Sequence, residues 1–326
     1  MKAFFKFAFT FLLIAGIGCG AVGWFYLNGE LSGPGPLEKA KTIYIAPGSV
    51  GQIGETLLTE GAIKNEYVFR FAAWRLKAGG PLKTGEYEFT PALSLADTIA
   101  LLQSDKVYQR KLTIPEGLTS YEIVELVNKA EAMDAGTITT IPAEGSLLPE
   151  TYSYTYGYKR AAMIDRMAAD MKKTITEYWP KRTAGSLLKT EAEAIALASI
   201  VERETAVTSE RARVAGVFMN RIKNSWPLQS DPTVIYALTQ GKGKLNRSLT
   251  RDDLNLKSPY NTYQVQGIPP GPIANPGRQS IIAVLAPEAN EYMFFVADGS
   301  GGHVFARTND EHNANVARWR QLQQGR

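Results

Sequence analysis

"AIALASIVERETAVTSE" (residues 194–210) begins as an almost wholly apolar helix and then carries two glutamates, Glu202 and Glu204, separated by one residue. Thr190 and Glu193 stand just before it at T-x-x-E spacing, which predicts a helix over residues 191–205. Successive helical residues turn by about 100°, so the two carboxylates point roughly 160° apart and do not share one role. Glu204 continues the apolar stripe of Leu197 and Val201, whereas Glu202 continues Ile195 and Ala198. Periodicity alone does not choose between them. It does require at least one carboxylate to meet an apolar wall, where burial disfavours the ionised form and raises the pKa. A glycosidase acid has that property. The plainer alternative is a glutamate paired with Arg203, Arg211 or Arg213.

Beyond this helix a second is predicted after Ser209, with Val214, Val217, Phe218 and Ile222 inward. "SWPLQSDPTVIYAL" breaks that pattern at two prolines and sets Gln229 and Asp231 between them. "SPYNTYQVQGIPPGPIANPGRQS" is a loop dense in Pro, Gly and Asn that carries Tyr260, Asn261, Thr262, Tyr263 and Asn275. Proline stiffens such a backbone, and a rigid loop of amides, hydroxyls and tyrosines suits a polar ligand. These residues define a candidate cleft facing the glutamate helix. The chain closes with a strand, a Gly-rich turn, a second strand and a final helix.

Toward the N-terminus, Lys2 and Lys6 precede an uncharged run over residues 7–27, and Glu30 follows it. About 20 apolar residues span a bilayer as a helix, and the flanking charges place the N-terminus in the cytoplasm and the bulk of the chain outside. The run is long for a signal peptide and no clean cleavage site follows it, so an uncleaved anchor is expected. Trp24, Phe25 and Tyr26 suit the outer interface. The only cysteine, Cys19, lies inside the span, so the exported part has no disulfide, thiol nucleophile or Cys-based metal site. The 326 residues are 44% hydrophobic and 21% charged with a net charge of +4, an ordinary globular balance without a basic block; nucleic-acid binding is not expected.

Residues 1–28 are thus read as cytoplasmic tip and span, and the Gly/Pro-rich residues 29–41 as a linker. In residues 42–140 a strand–turn–helix pattern occurs twice, in "IAPGSVGQIGETL" and "IPEGLTSYEIVEL". The unit resembles the LysM type of glycan-binding module; two ordinary α+β units are the alternative. A composition change at "AEGSLLPETYSYTYGYKR" opens residues 141–326, the expected catalytic domain. Its alternating tyrosines predict either a core strand or a wall on which sugar rings stack. The fold class is α+β.

Other chemistries are poorly supported. His303 and His312 are the only histidines and lack zinc-site spacing, so no metal or other cofactor is expected. An S-x-x-K at residues 186–189 and a K-T-G at 83–85 stand in the reverse of the penicillin-binding order, without S-D-N.

The ordered set "EGSLLPETY", "ASIVERET", "VAGVFMNRI", "LQSDPTVIYAL", "SPYNTYQVQGIPPGPIANPG" and "YMFFVADGSGGHVF" resembles the MltG-type (YceG-like) endolytic murein transglycosylases over nearly the whole chain. The resemblance implies a lyase of the cell inner membrane that cleaves the β-1,4 bond from N-acetylmuramic acid to N-acetylglucosamine within peptidoglycan glycan strands. It implies a 1,6-anhydro end, one catalytic glutamate, termination of nascent strands, and peptidoglycan synthases (penicillin-binding proteins) as partners. The family's acid aligns with Glu204. Glu202 becomes a neighbour, and Asn220, Gln229, Asp231, Tyr260, Asn261, Thr262, Tyr263 and Asn275 become cleft residues. Two rivals stand beside it: a hydrolase using Glu204 with Asp231 as the second carboxylate, and a non-catalytic peptidoglycan-binding scaffold.

Overall fold

In a computed structural model that describes residues 2–324, the chain forms two compact units: residues 2–110 with 154–157, and residues 111–153 with 158–324. The first opens with α1 (Lys2–Ser32), the one helix among the described residues long and apolar enough to cross a bilayer. The helix runs on into the stretch expected to be a linker. Leu31 is buried in the core of this unit, with Leu27 and Leu37 packed against it.

β1 (Lys41–Ile45), α2 (Val50–Thr59), α3 (Glu66–Arg75), β2 (Gly85–Phe89) and α4 (Leu95–Gln103) complete the unit. β1 and β2 pair antiparallel, with Ile43 opposite Tyr87. Strand alternation turns Ile43, Ile45, Tyr87 and Phe89 inward. Ser49 and Gln52 form a complete capping box, so α2 starts where the Pro-Gly turn ends. Ile53 and Leu57 then meet Phe69 and Ala72 of α3 and Ile99 and Leu102 of α4. The expected LysM-like region is not set apart as a clear LysM subdomain: its first strand–turn–helix copy shares a core with α1 and α4, and its second belongs to the other unit.

The second unit holds β3 (Arg110–Thr113), α5 (Ser120–Lys129), β4 (Thr151–Tyr154), α6 (Arg160–Tyr178), α7 (Glu191–Glu204), α8 (Arg211–Lys223), α9 (Asp231–Thr239) and α10 (Arg251–Leu254). It ends with α11 (Arg278–Leu285), β5 (Phe294–Ala297), β6 (His303–Ala306) and α12 (Asn309–Gln324). β3 pairs with β4, and β5 with β6 as a hairpin that sets Phe295 opposite Phe305. Tyr152 and Tyr154 are buried, which decides for the core-strand reading of the tyrosine segment at those positions. Tyr156 instead stacks on Tyr44, with centroids 3.8 Å apart, inside the first unit.

The core of the second unit is α7 packed on α8 and α11. Thr190 caps α7 by accepting the Glu193 N–H at 3.1 Å, but the Glu193 carboxylate accepts from Lys189 N, so the cap is not a full box. Ala194, Leu197, Ala198 and Val201 meet Val214, Phe218, Ile281 and Val284, all fully buried. Gly216 of α8 leaves no room for a side chain against Glu288 and Asn290, which lets the segment before β5 lie directly on the helix. Phe218→Ala empties the centre of this core. It is expected to destabilise the protein by about 3–5 kcal/mol, read as a lower urea midpoint of the transition that exposes this unit.

Candidate active site

α7 delivers its last two carboxylates to different surroundings. Glu202 points to the N-terminus of α11. Its Oε1 accepts from Arg211 Nη2 at 2.7 Å and its Oε2 from the Gly277 N–H at 2.9 Å. The same Arg211 nitrogen donates to Glu116 Oε2 at 2.8 Å. Burial pushes the Glu202 carboxyl up, while the Gly277 N–H and the Arg211 guanidinium pull against it. The buried Glu202–Arg211 pair, with exposed Glu116 at its edge, ties α7, α8 and α11 together.

Glu204 reaches a cleft of about 390 Å³ together with Arg221, Gln229, Asp231, Tyr263, Phe294, Phe295, Asn309 and His312. Its Oε1 accepts a hydrogen bond from the Ser230 hydroxyl. Burial raises its pKa to about 7; the Ser230 bond, His303 and Arg221 oppose the shift, and Asp231 adds to it. The carboxyl therefore holds or releases a proton near neutrality.

Local structure explains the Ser230 contact. Ser230 is the N-cap of α9, yet its side chain makes no cap hydrogen bond. Gln229 adopts a left-handed backbone, φ 49°. The Gln229 N–H then donates to Thr262 O and the Ser230 N–H to Thr262 Oγ1, each at 3.0 Å. Thr233 Oγ1, 2.8 Å away, completes this buried knot. Held by its backbone, Ser230 turns its hydroxyl to Glu204. Asp231, the next residue, is exposed and accepts from the Tyr263 hydroxyl at 2.6 Å.

Of the residues expected in the cleft, Glu204, Gln229, Asp231 and Tyr263 line it, and Thr262 lies behind it as a support. The others are not among its lining. Asn220 Nδ2 donates to the carbonyls of Asn290 and Tyr292 and so pins the chain entering β5. Buried Asn261 donates to Leu254 O and Leu256 O. Buried Asn275 accepts from Leu147 N and donates to Leu118 O, Ser120 Oγ and Glu144 Oε1. Tyr260 packs its ring on Tyr236.

Arg221, Phe294, Phe295, Asn309 and His312 were not anticipated. Arg221 had a readable signal: it lies seven residues after Val214, hence on the buried face of α8. Its Nε donates to Met293 O at 2.8 Å and its Nη1 to Leu228 O at 2.5 Å, which fixes a cation beside the cleft. His312 stacks on Phe294 with centroids 5.0 Å apart, and burial, then Arg221, lower its pKa. Nearby, Glu210 holds His303 through Nδ1 at 2.8 Å. No group of His, Cys, Asp or Glu suited to a metal ion occurs among the described residues.

The YceG-like family matches residues 43–318, and the chain belongs to that family. It is 32% identical over 364 residues to an endolytic murein transglycosylase of Streptococcus pneumoniae, matching 97% of this chain and 65% of that protein. The chain thus spans just under two thirds of the length of this pneumococcal relative. A Bacillus subtilis endolytic murein transglycosylase is 30% identical over 314 residues, with 85% of each chain covered. The crystal structure of a yceG-like protein from Listeria monocytogenes superposes with a TM-score of 0.53 at 30% identity, over 85% of this chain and 99% of that one.

The two glutamates predict opposite responses. Native Glu204 keeps its proton up to about 7, whereas the unfolded chain releases it near 4.5. The folded state binds more protons in that window, so stability falls as pH rises through it. Glu204→Gln is expected to melt above wild type at about pH 8 and level with it at about pH 4. Arg211→Ala strands the buried Glu202 carboxylate and is expected to lower stability by about 3–5 kcal/mol, measured by chemical denaturation near neutral pH.

Proposed function

We propose that this chain is a membrane-anchored lytic transglycosylase acting within peptidoglycan glycan strands. The observation that carries the reading is Glu204: a carboxyl on the wall of a polar cleft, shifted to about 7 by burial and held by a neutral hydroxyl. Such a group gives a proton in one step and takes one back in the next. In the first step Glu204 protonates the glycosidic oxygen as the bond to C1 of N-acetylmuramic acid breaks, which frees the N-acetylglucosamine end. In the second the Glu204 carboxylate accepts the proton of the muramic acid C6 hydroxyl as O6 bonds to C1. The product is a 1,6-anhydro end, and no water is consumed. The nucleophile belongs to the substrate, so its effective concentration is high and a second protein carboxylate is unnecessary.

Family membership and the names of the relatives support this reaction class. The apolar stretch of α1, preceded in the same helix by Lys2 and Lys6, supports a single-pass anchor in the cytoplasmic membrane with the bulk of the chain outside. There the enzyme would meet strands leaving peptidoglycan synthases and end their growth.

A second reading has one observation in its favour. Asp231 lines the same cleft as Glu204 and is held by Tyr263, as a general base or nucleophile of a muramidase would be. Product chemistry separates the two. Full-length enzyme in detergent is incubated with uncrosslinked glycan strands in ¹⁸O-enriched water. The lyase yields ends one water lighter and free of label. Glu204→Gln is expected to reduce cleavage by about 10²–10⁴-fold, and Glu202→Gln to leave the product unchanged. Labelled reducing ends would establish the muramidase, and uncut strands with folded wild type would favour the scaffold.

A further inference from the structure

The outward face of α3 departs from an ordinary soluble surface. Tyr67, Phe71 and Trp74 recur at helical spacing and are 70%, 37% and 65% exposed, while Val68, Phe69, Ala72 and Ala73 fill the core side. The Phe71 and Trp74 rings lie 5.8 Å apart. Arg70 and Arg75, both exposed, flank these rings. A contiguous exposed aromatic face marks an interaction surface.

α1 identifies what that surface meets. The Arg75 guanidinium sits 4.6 Å from the centre of the Trp24 ring, and its Nη1 donates to Asn28 Oδ1 at 3.3 Å. Leu31, a little further along α1, is already inside the core of this unit. A span needs about 20 residues, so one that starts near Phe7 leaves the hydrocarbon at about Tyr26. Trp24 therefore stands at the bilayer boundary, and the C-terminal end of α3 stands level with it. Trp and Tyr rings beside arginines are the composition that settles at lipid headgroups: rings enter the acyl boundary and guanidinium groups stay at the phosphates.

We propose that α3 is a second, peripheral membrane anchor, lying in the headgroup layer at the C-terminal end of α1. Trp74 and Phe71 enter deepest, Tyr67 sits shallower, and Arg70 and Arg75 face lipid phosphates. One helix crosses the bilayer and the other holds the first unit flat against it. The proposal rests on α1 spanning the membrane and not on the enzymatic reading.

Spin-label accessibility tests it on the full chain in vesicles of phosphatidylcholine and phosphatidylglycerol in equal parts. Labels are placed singly at Tyr67→Cys, Phe71→Cys and Trp74→Cys in a Cys19→Ala background. Lys242→Cys in the same background is the aqueous reference, and native Cys19 reports the span. The Trp74 and Phe71 positions are expected to collide several-fold less with a water-soluble nickel chelate than Lys242, and more with oxygen, with Tyr67 between. Nickel access equal to that of Lys242 at all three positions would overturn the proposal. Shielding from both reagents would assign the face to a protein neighbour and overturn it equally. Nickel access at Cys19 would show that α1 does not span, and the proposal falls with it.

Discussion

α7 carries two carboxylates out of a fully packed apolar core, and such groups are held there only with a counter-charge or with a proton. The helix uses both solutions within three residues. Glu202 meets Arg211 and the backbone N–H that opens α11. Glu204 meets a neutral hydroxyl, and burial moves its proton affinity toward neutrality. The first arrangement fixes the end of the helix; the second leaves a group able to move a proton. Their separation of about 160° around the helix places the two carboxylates in these different surroundings.

The surrounding structure keeps these solutions apart. The Arg211–Glu116–Glu202 cluster draws α7, α8 and α11 into one block, so the direction in which α7 presents Glu204 is set by buried contacts. Arg221 braces the opposite wall through two backbone carbonyls. The Thr262 knot spares Ser230 from capping α9 and directs it to the acid. A position held by packed helices and satisfied backbone groups is more exact than one held by a loop alone.

Much of this was legible in the sequence where it depends on period and on local caps. The apolar stripe of residues 194–201, the Thr190 cap and the closing hairpin follow from spacing, whereas spacing leaves Glu202 and Glu204 equivalent and only the family resemblance points to Glu204. What was not legible depends on contacts distant along the chain. Glu202 and Glu204 look alike until Arg211 folds back and Gly277 arrives from another helix. Asn220, Asn261 and Asn275 read as ligand-binding amides, yet each spends its hydrogen bonds on backbone or buried side chains inside the unit. An amide that satisfies its own fold and one that greets a ligand have the same composition, and only the partners separate them. Phe294, Phe295, Asn309 and His312 join the cleft because the hairpin returns to α8 and α12 packs on the hairpin, a closure that no local pattern announces.

Glu204, at the end of a buried helix, holds its proton toward neutrality. Infrared titration of the full-length protein, as the difference between wild type and Glu204→Gln, reads that proton directly through the protonated carboxyl stretch. A band that disappears with a midpoint near 7 and is retained in Glu202→Gln is expected. A midpoint in the ordinary carboxylate range near 4.5 would contradict it, because burial would then not hold the proton on Glu204.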